Sequence, residues 1–189
     1  MSIRFFDWLE HHAQLRPDRP AITDLGSGRR LSYAALDRRA AALAAWLQAR
    51  GVGRGDRVAL LLPNCAAFFE MEFACARIGA ICLPLNWRLA EPELAYILAD
   101  ADPAALIYDT AFAATAQALI AARGIGISLE TDHSGTPCPY ELAAETGARP
   151  EVAECTLDDV WLILYTSGTM SAGSTCSATR SCMPAGISC

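Results

Sequence analysis

The sequence predicts an α/β protein, a mostly parallel sheet flanked by helices. Three observations carry this. From residue 57 the segments run strand, helix, strand, helix, strand, helix, strand, the rhythm of βαβ units. The strand segments, such as "RVALLLP" and "AALIYD", are short apolar runs that suit burial between helices. Finally, 189 residues at 53% hydrophobic content supply a core, and a compact domain of this size removes roughly 70% of its unfolded surface from water.

Ser2 to Leu15 places Ile3, Phe6, Leu9 and Ala13 at helical spacing, and Pro17 stops that helix. "AITDL" and "RRLSY" flank Gly26-Ser27-Gly28 and read as a β-hairpin. Ser32 can cap the next helix, where Leu36, Ala40, Leu43 and Leu47 share one face and Arg38 and Arg39 another. Arg50 and Gly51 form its stop signal. "RVALLLP" is a strand ended by Pro63, residues 64–78 a helix ended by Gly79, and "AICLPL" a strand. "EPELAYILADAD" is a helix with Pro92 and acidic residues early, both favourable at a helix start. "AALIYD" is a strand, 112–122 a helix and "GIGISLE" a strand. Residues 131–156 are rich in turn formers, with one short helix at 140–145, and read as a connection between subdomains. "DDVWLILY" returns to a strand.

This divides the chain into an α/β subdomain at 1–130, a connecting segment at 131–156, the start of a second subdomain at 157–169 and a tail at 170–189. The tail has five serines, three cysteines, a single charge and no apolar period. No core can be built from it, and it is expected to be disordered.

The net charge of −6 argues against the clustered basic face of a nucleic-acid binder. All 15 basic residues are arginines, so no step can use a lysine ammonium from these residues. Eight cysteines occur without a C-x-x-C pair, which speaks against zinc and thioredoxin-like chemistry. Cys75 and Cys82 sit in apolar surroundings, as buried free thiols do. "MSIRFFDWLEHH" acquires acid and histidine too early for a signal peptide, and no apolar run approaches a membrane span. A cytoplasmic protein is expected.

Several patterns look functional and read better as structure. "GVGRG" at 51–55 follows a helix and precedes a strand, the reverse of a dinucleotide-binding loop, so it reads as a helix stop and turn. His11 and His12 are adjacent and point about 100° apart on a helix, so they cannot share a metal. Asp158 and Asp159 read as caps to a strand, and Asp100 and Asp102 as a helix end. No metal ligand and no catalytic residue is assigned.

"WLILYTSGTM" at 161–170 is different. An apolar strand runs into Thr166, Ser167, Gly168 and Thr169. Triphosphate oxygens only accept hydrogen bonds, and a loop of small residues can aim backbone N–H groups and hydroxyls at them. Glycine permits the close approach that wrapping requires. A bare T-S-G-T also occurs in ordinary turns.

The segment order decides between these. "LSYAALDRRAAALAAWLQARGVGRGDRVALLLPNCAAFFEMEFACARIGAICLPLNWRLAEPELAYILADADPAALIYD", followed by "DDVWLILYTSGT", resembles the N-terminal part of the adenylate-forming enzymes. "PLNWRL" before "EPELAYIL" is most similar to the fatty-acyl and aryl-CoA ligases. The resemblance covers residues 3–169. It implies the N-terminal subdomain of an acyl-CoA synthetase large domain, with the strand at 161–165 opening an incomplete second sheet. It implies ATP-dependent activation of a carboxylic acid to an acyl-adenylate, then displacement of AMP by coenzyme A. The implied partners are therefore a small-molecule acid, ATP, Mg2+ and CoA.

The family's phosphate loop reads Y-T-S-G-T-T-G-x-P-K-G. This chain matches through Tyr165, Thr166, Ser167, Gly168 and Thr169 and departs at Met170. The pattern vanishes at one point, as a change of reading frame would make it do. The acid pocket, the magnesium-binding glutamate and the adenylation lysine that the resemblance implies are absent. The expectation is a synthetase fragment inactive alone; the alternatives are a non-catalytic nucleotide- or partner-binding fragment and a product with no role.

Overall fold

The computed structural model describes residues 6–132, 136–166 and 177–182, the last six as backbone. Helix α1 (Trp8–Leu15) is capped by Asp7, whose carboxylate accepts from Glu10 N–H at 3.0 Å. Ile3 lies outside the described residues. Strands β1 (Pro20–Thr23) and β2 (Arg30–Ser32) form the expected antiparallel hairpin. Ser32 caps α2 (Tyr33–Gln48) by accepting from Ala35 N–H.

The alternating segments follow as β3 (Arg57–Leu61), α3 (Ala66–Ile78), β4 (Ile81–Pro84), α4 (Glu91–Ala101) and β5 (Ala105–Asp109). A 3-10 turn at Thr110–Phe112 leads into α5 (Ala113–Arg123) and β6 (Ile127–Thr131). The connecting segment holds α6 (Pro139–Ala144), and β7 (Val160–Thr166) and β8 (Ser177–Cys182) close the described chain.

The sheet order is β6-β5-β3-β4-β7-β8. Its first five strands are parallel, and β8 runs antiparallel to β7. Side-chain alternation along the strands sorts the core. Val58, Leu60, Cys82, Ala105 and Ile107 pack with Leu43, Leu47, Met71 and Cys75 on the α2–α3 face. Ala59, Leu61, Leu83, Leu106 and Tyr108 pack with Leu94, Leu98 and Leu119 on the α4–α5 face. The helices thus cover both faces, as right-handed parallel crossovers require.

Three particulars differ from expectation. First, β7 does not open a separate second sheet. It pairs with β4 at Cys82↔Leu162 and extends the first sheet. Leu162 packs into one core face and Ile163 and Tyr165 into the other, so burial places this strand beside β4. Second, β8 lies within the tail expected to be disordered and forms a ladder with β7; residues 167–176 and 183–189 lie outside the described residues. Third, Arg39, which the sequence sets on a face apart from the apolar stripe of α2, is internal. It is 3% exposed.

Arg39 is buried because its charge is met from several elements. Its Nε donates to Glu70 Oε1 at 2.6 Å, and its two terminal nitrogens reach Glu141 at 2.9 and 2.8 Å. Arg29 adds two bonds to Glu141, and Tyr140 Oη donates to Glu70 Oε2 at 2.7 Å. Two guanidinium and two carboxylate groups therefore balance, with the hydrogen bonds that a buried charge needs. The cluster joins the end of the hairpin, α2, α3 and α6.

The rest of the connection is fastened too. Gln48 donates to Glu151 C=O at 2.7 Å and accepts from Glu151 N–H at 2.9 Å. Ala153 N–H donates to Arg77 C=O at 2.8 Å. Arg54 donates to Asp159 at 2.6 Å and to Glu154 C=O at 3.1 Å. Residues 136–159 form a strap bound along one side of the domain, and it delivers the chain to β7.

Candidate functional site

Parallel pairing puts the C-terminal ends of β3, β4, β5, β6 and β7 along one edge of the sheet. Open α/β sheets bind ligands outside that edge, where loops and helix starts gather. β7 ends there at Thr166. Of the four residues expected to hold phosphate, Thr166 is the last residue of this strand. Ser167, Gly168 and Thr169 lie outside the described residues.

Tyr165 just before them is well fixed. Its ring packs against the α4–α5 core, and its Oη donates to Asp100 Oδ2 at 2.5 Å. At the other end of β7, Asp159 accepts from Thr156 N–H at 2.7 Å and from Arg54. The Thr156 amide first, and then Arg54, hold the Asp159 carboxyl below its ordinary range. Asp159 thus has the expected role of a strand cap.

Other groups stand along the same edge. Asp24 accepts from Gly26 and Ser27 N–H through Oδ1 and from Ala66 N–H, at the start of α3, through Oδ2. Burial pushes its carboxyl up, but the Ser27, Gly26 and Ala66 bonds outweigh this and the net shift is downward. Cys65 precedes α3, and burial pushes its thiol up to about 11, so it is not a reactive thiolate. After β4, Trp87 stacks on Phe112 with 5.7 Å between centroids, and the Arg88 guanidinium sits 4.1 Å from the Trp87 ring centroid. Trp87 also packs against the α4–α5 core.

Two grooves stand out among the described residues. One, of about 520 Å3, runs between α1, the end of α3 and the strap, lined by residues that include His11, Arg77 and Cys155. The other, of about 430 Å3, is lined by residues that include Arg57, Asp100, Ile163 and Tyr165. Among the described residues, no three His, Cys, Asp or Glu side chains gather to hold a metal ion. No helix among them is long and apolar enough to cross a membrane.

Sequence reasoning placed the loop on a strand exit and missed the Arg39 cluster. Its signal was Glu70, a carboxylate within the apolar helix "AAFFEMEFACARI". A carboxylate as fully buried as Glu70 is met by a cation, here Arg39.

Comparison with known proteins agrees with the fold and the segment order. The family profile described as "AMP-binding enzyme" matches residues 9–172, and the chain belongs to this family of adenylate-forming ligases. It is 40% identical over 161 residues to a feruloyl-CoA synthase of Amycolatopsis sp, covering 85% of this chain and 30% of that protein. It is 35% identical over 161 residues to the long-chain-fatty-acid–CoA ligase FadD13 of Mycobacterium tuberculosis (strain ATCC 25618 / H37Rv), covering 85% of this chain and 32% of the ligase. Among solved structures, it is similar to the inhibitor-bound N-terminal domain of FACL13 from Mycobacterium tuberculosis. The TM-score is 0.77 at 30% identity, covering 91% of this chain and 43% of that one. The chain thus spans about a third of the length of these curated relatives.

Proposed function

We propose that this chain supplies the amino-terminal part of an acyl-CoA ligase, and that Thr166, Ser167, Gly168 and Thr169 form the leading half of its ATP-phosphate loop. One observation carries the reading: the family's Y-T-S-G-T segment leaves β7 at the C-terminal edge of a parallel sheet. In such a ligase a carboxylate attacks the α-phosphorus of ATP, and pyrophosphate leaves. The thiol of CoA then attacks the acyl carbon of the mixed anhydride, and AMP leaves. The protein's part at this loop is to present hydrogen-bond donors to the phosphate oxygens.

The residue types at 166–169 suit one wall of a nucleotide site. Thr166 to Thr169 contribute hydroxyls and backbone amides, whereas the 189 residues contain no lysine to add an ammonium. We therefore expect these residues alone to bind ATP weakly and not to adenylate. We place the protein in the cytoplasm, in keeping with its described cysteines, all free thiols. Calorimetric titration with ATP tests the loop: heat should be measurable for the native chain and absent for Gly168→Val. Equal heats from the two proteins would remove the assignment. Binding without ATP–pyrophosphate exchange across a panel of fatty and aryl acids is the expected pair of results. Exchange above background would show that these residues catalyse alone.

A further inference from the structure

Backbone pairing between β7 and β4 ends before the phosphate-loop segment begins. The two strands pair at Cys82↔Leu162, and the ladder does not reach Tyr165 or Thr166. Pro84 supplies the reason. Ile81 N–H donates to Asp56 C=O and Leu85 N–H to Leu60 C=O, both on the β3 side. Neighbouring residues of a strand point their N–H groups to opposite sides, so Cys82 and Pro84 face β7. Pro84 has no N–H to donate.

A side chain makes the connection instead. The Tyr165 ring packs against the α4–α5 core, and its hydroxyl donates to Asp100 at 2.5 Å. A phenol on a carboxylate is a charge-assisted bond. Asp100 stands in the last turn of α4, and that turn is itself held from β3. Arg57 Nε donates to Ala101 C=O at 2.7 Å, and a terminal nitrogen of Arg57 donates to Asp102 C=O at 2.5 Å. A cation on the open carbonyls of a helix end is favourable. Ala104 N–H returns to Arg57 C=O at 2.9 Å. Tyr165 also borders the groove of about 430 Å3, which leaves its ring room to swing once the hydroxyl is released.

We propose that Asp100 is a positioning residue for ATP binding: by holding the Tyr165 hydroxyl it sets where the chain leaves the sheet at Thr166. It acts through Tyr165, and the support runs from β3 through Arg57 to the end of α4. The inference rests on the assignment of Thr166 to Thr169 to phosphate binding. Placement matters there because donors help only when aimed at the phosphate oxygens, and a shift of about 1 Å is costly.

The test titrates ATP against the full chain by calorimetry. Asp100→Ala and Tyr165→Phe each remove the bond and should raise the Kd for ATP about threefold to tenfold, the loss of one such bond. The double variant should bind no more weakly than either alone, because both act through one contact. Asp100→Asn keeps an acceptor oxygen and should stay within about twofold of the native chain. Ser32→Ala, which weakens the fold at α2, should leave the Kd unchanged and so separates placement from general destabilisation. Without nucleotide, hydrogen exchange at the amides of residues 163–166 should quicken in Asp100→Ala and Tyr165→Phe. Absence of heat from the native chain overturns the phosphate-loop assignment and this inference with it. Native binding that both variants leave unchanged overturns the inference alone. So do effects that add in the double variant, a loss that Asp100→Asn shares, or exchange that does not change. Tyr165→Phe keeps the packed ring and removes only the hydroxyl, so it decides the matter even if Asp100→Ala fails to fold.

Discussion

Arg39 shows how far one side chain organises this protein. It joins α2 to α3 through Glu70 and to α6 through Glu141, all at 5% exposure or less. Removing it leaves two buried carboxylates short of their cation. Arg39→Met should therefore lower stability by about 3–5 kcal/mol, read as the urea midpoint, and Glu70→Leu added to it should recover part of the loss. Acid should act at the same place. Burial raises the Glu141 carboxyl, yet Arg29 and Arg39 outweigh it and hold the group below its ordinary 4.5. A carboxyl depressed in the folded state stabilises above its unfolded pKa, and that contribution is lost as pH falls through the folded one. Thermal stability should therefore drop as pH falls below about 4.5, with a shallower slope in Glu141→Gln, whose stability at pH 7 should already be lower.

At the scale of elements, helix ends carry the clearest consequences. Gly79 ends α3 in the left-handed conformation, with φ of 69°, and a Cβ there would lie 3.0 Å from Arg54 Cγ and 3.1 Å from Cys155 Sγ. Gly124 ends α5 with φ of 67° and open space around it. Both positions disfavour alanine by about 1–2 kcal/mol for conformation alone, and Gly79→Ala also displaces the Arg54 and Cys155 contacts. Its fall in melting temperature should exceed that of Gly124→Ala; equal falls would mean that the strap yields freely. Ser32→Ala removes the cap of α2 and should cost about 1 kcal/mol by denaturant unfolding.

Across the whole molecule, the strap decides how the domain meets β7. Residues rich in turn formers suggest a loose linker, but Gln48, Arg54 and Arg77 fasten this one at successive points. Proteolysis follows local opening. Gln48→Ala should therefore speed cleavage within residues 146–152 severalfold by peptide mapping, without loss of the helical circular dichroism signal. Unchanged cleavage would place the restraint at the Arg54 and Arg77 contacts.

The sequence by itself determined the alternation of strands and helices, the Ser32 cap of α2, the hairpin and the family. Each follows from periodicity, turn chemistry or local order along the chain. It also placed Thr166 at a strand exit. Only the tertiary structure decided that Arg39 is internal, that the connecting segment is a strap and that β7 joins the first sheet with β8 on its far edge. Those outcomes depend on partners 11 to 112 residues away along the chain, and on whether burying a charge or an edge is met by a matching group. A local pattern holds no record of that match, because the free energy resides in the pair rather than in either residue.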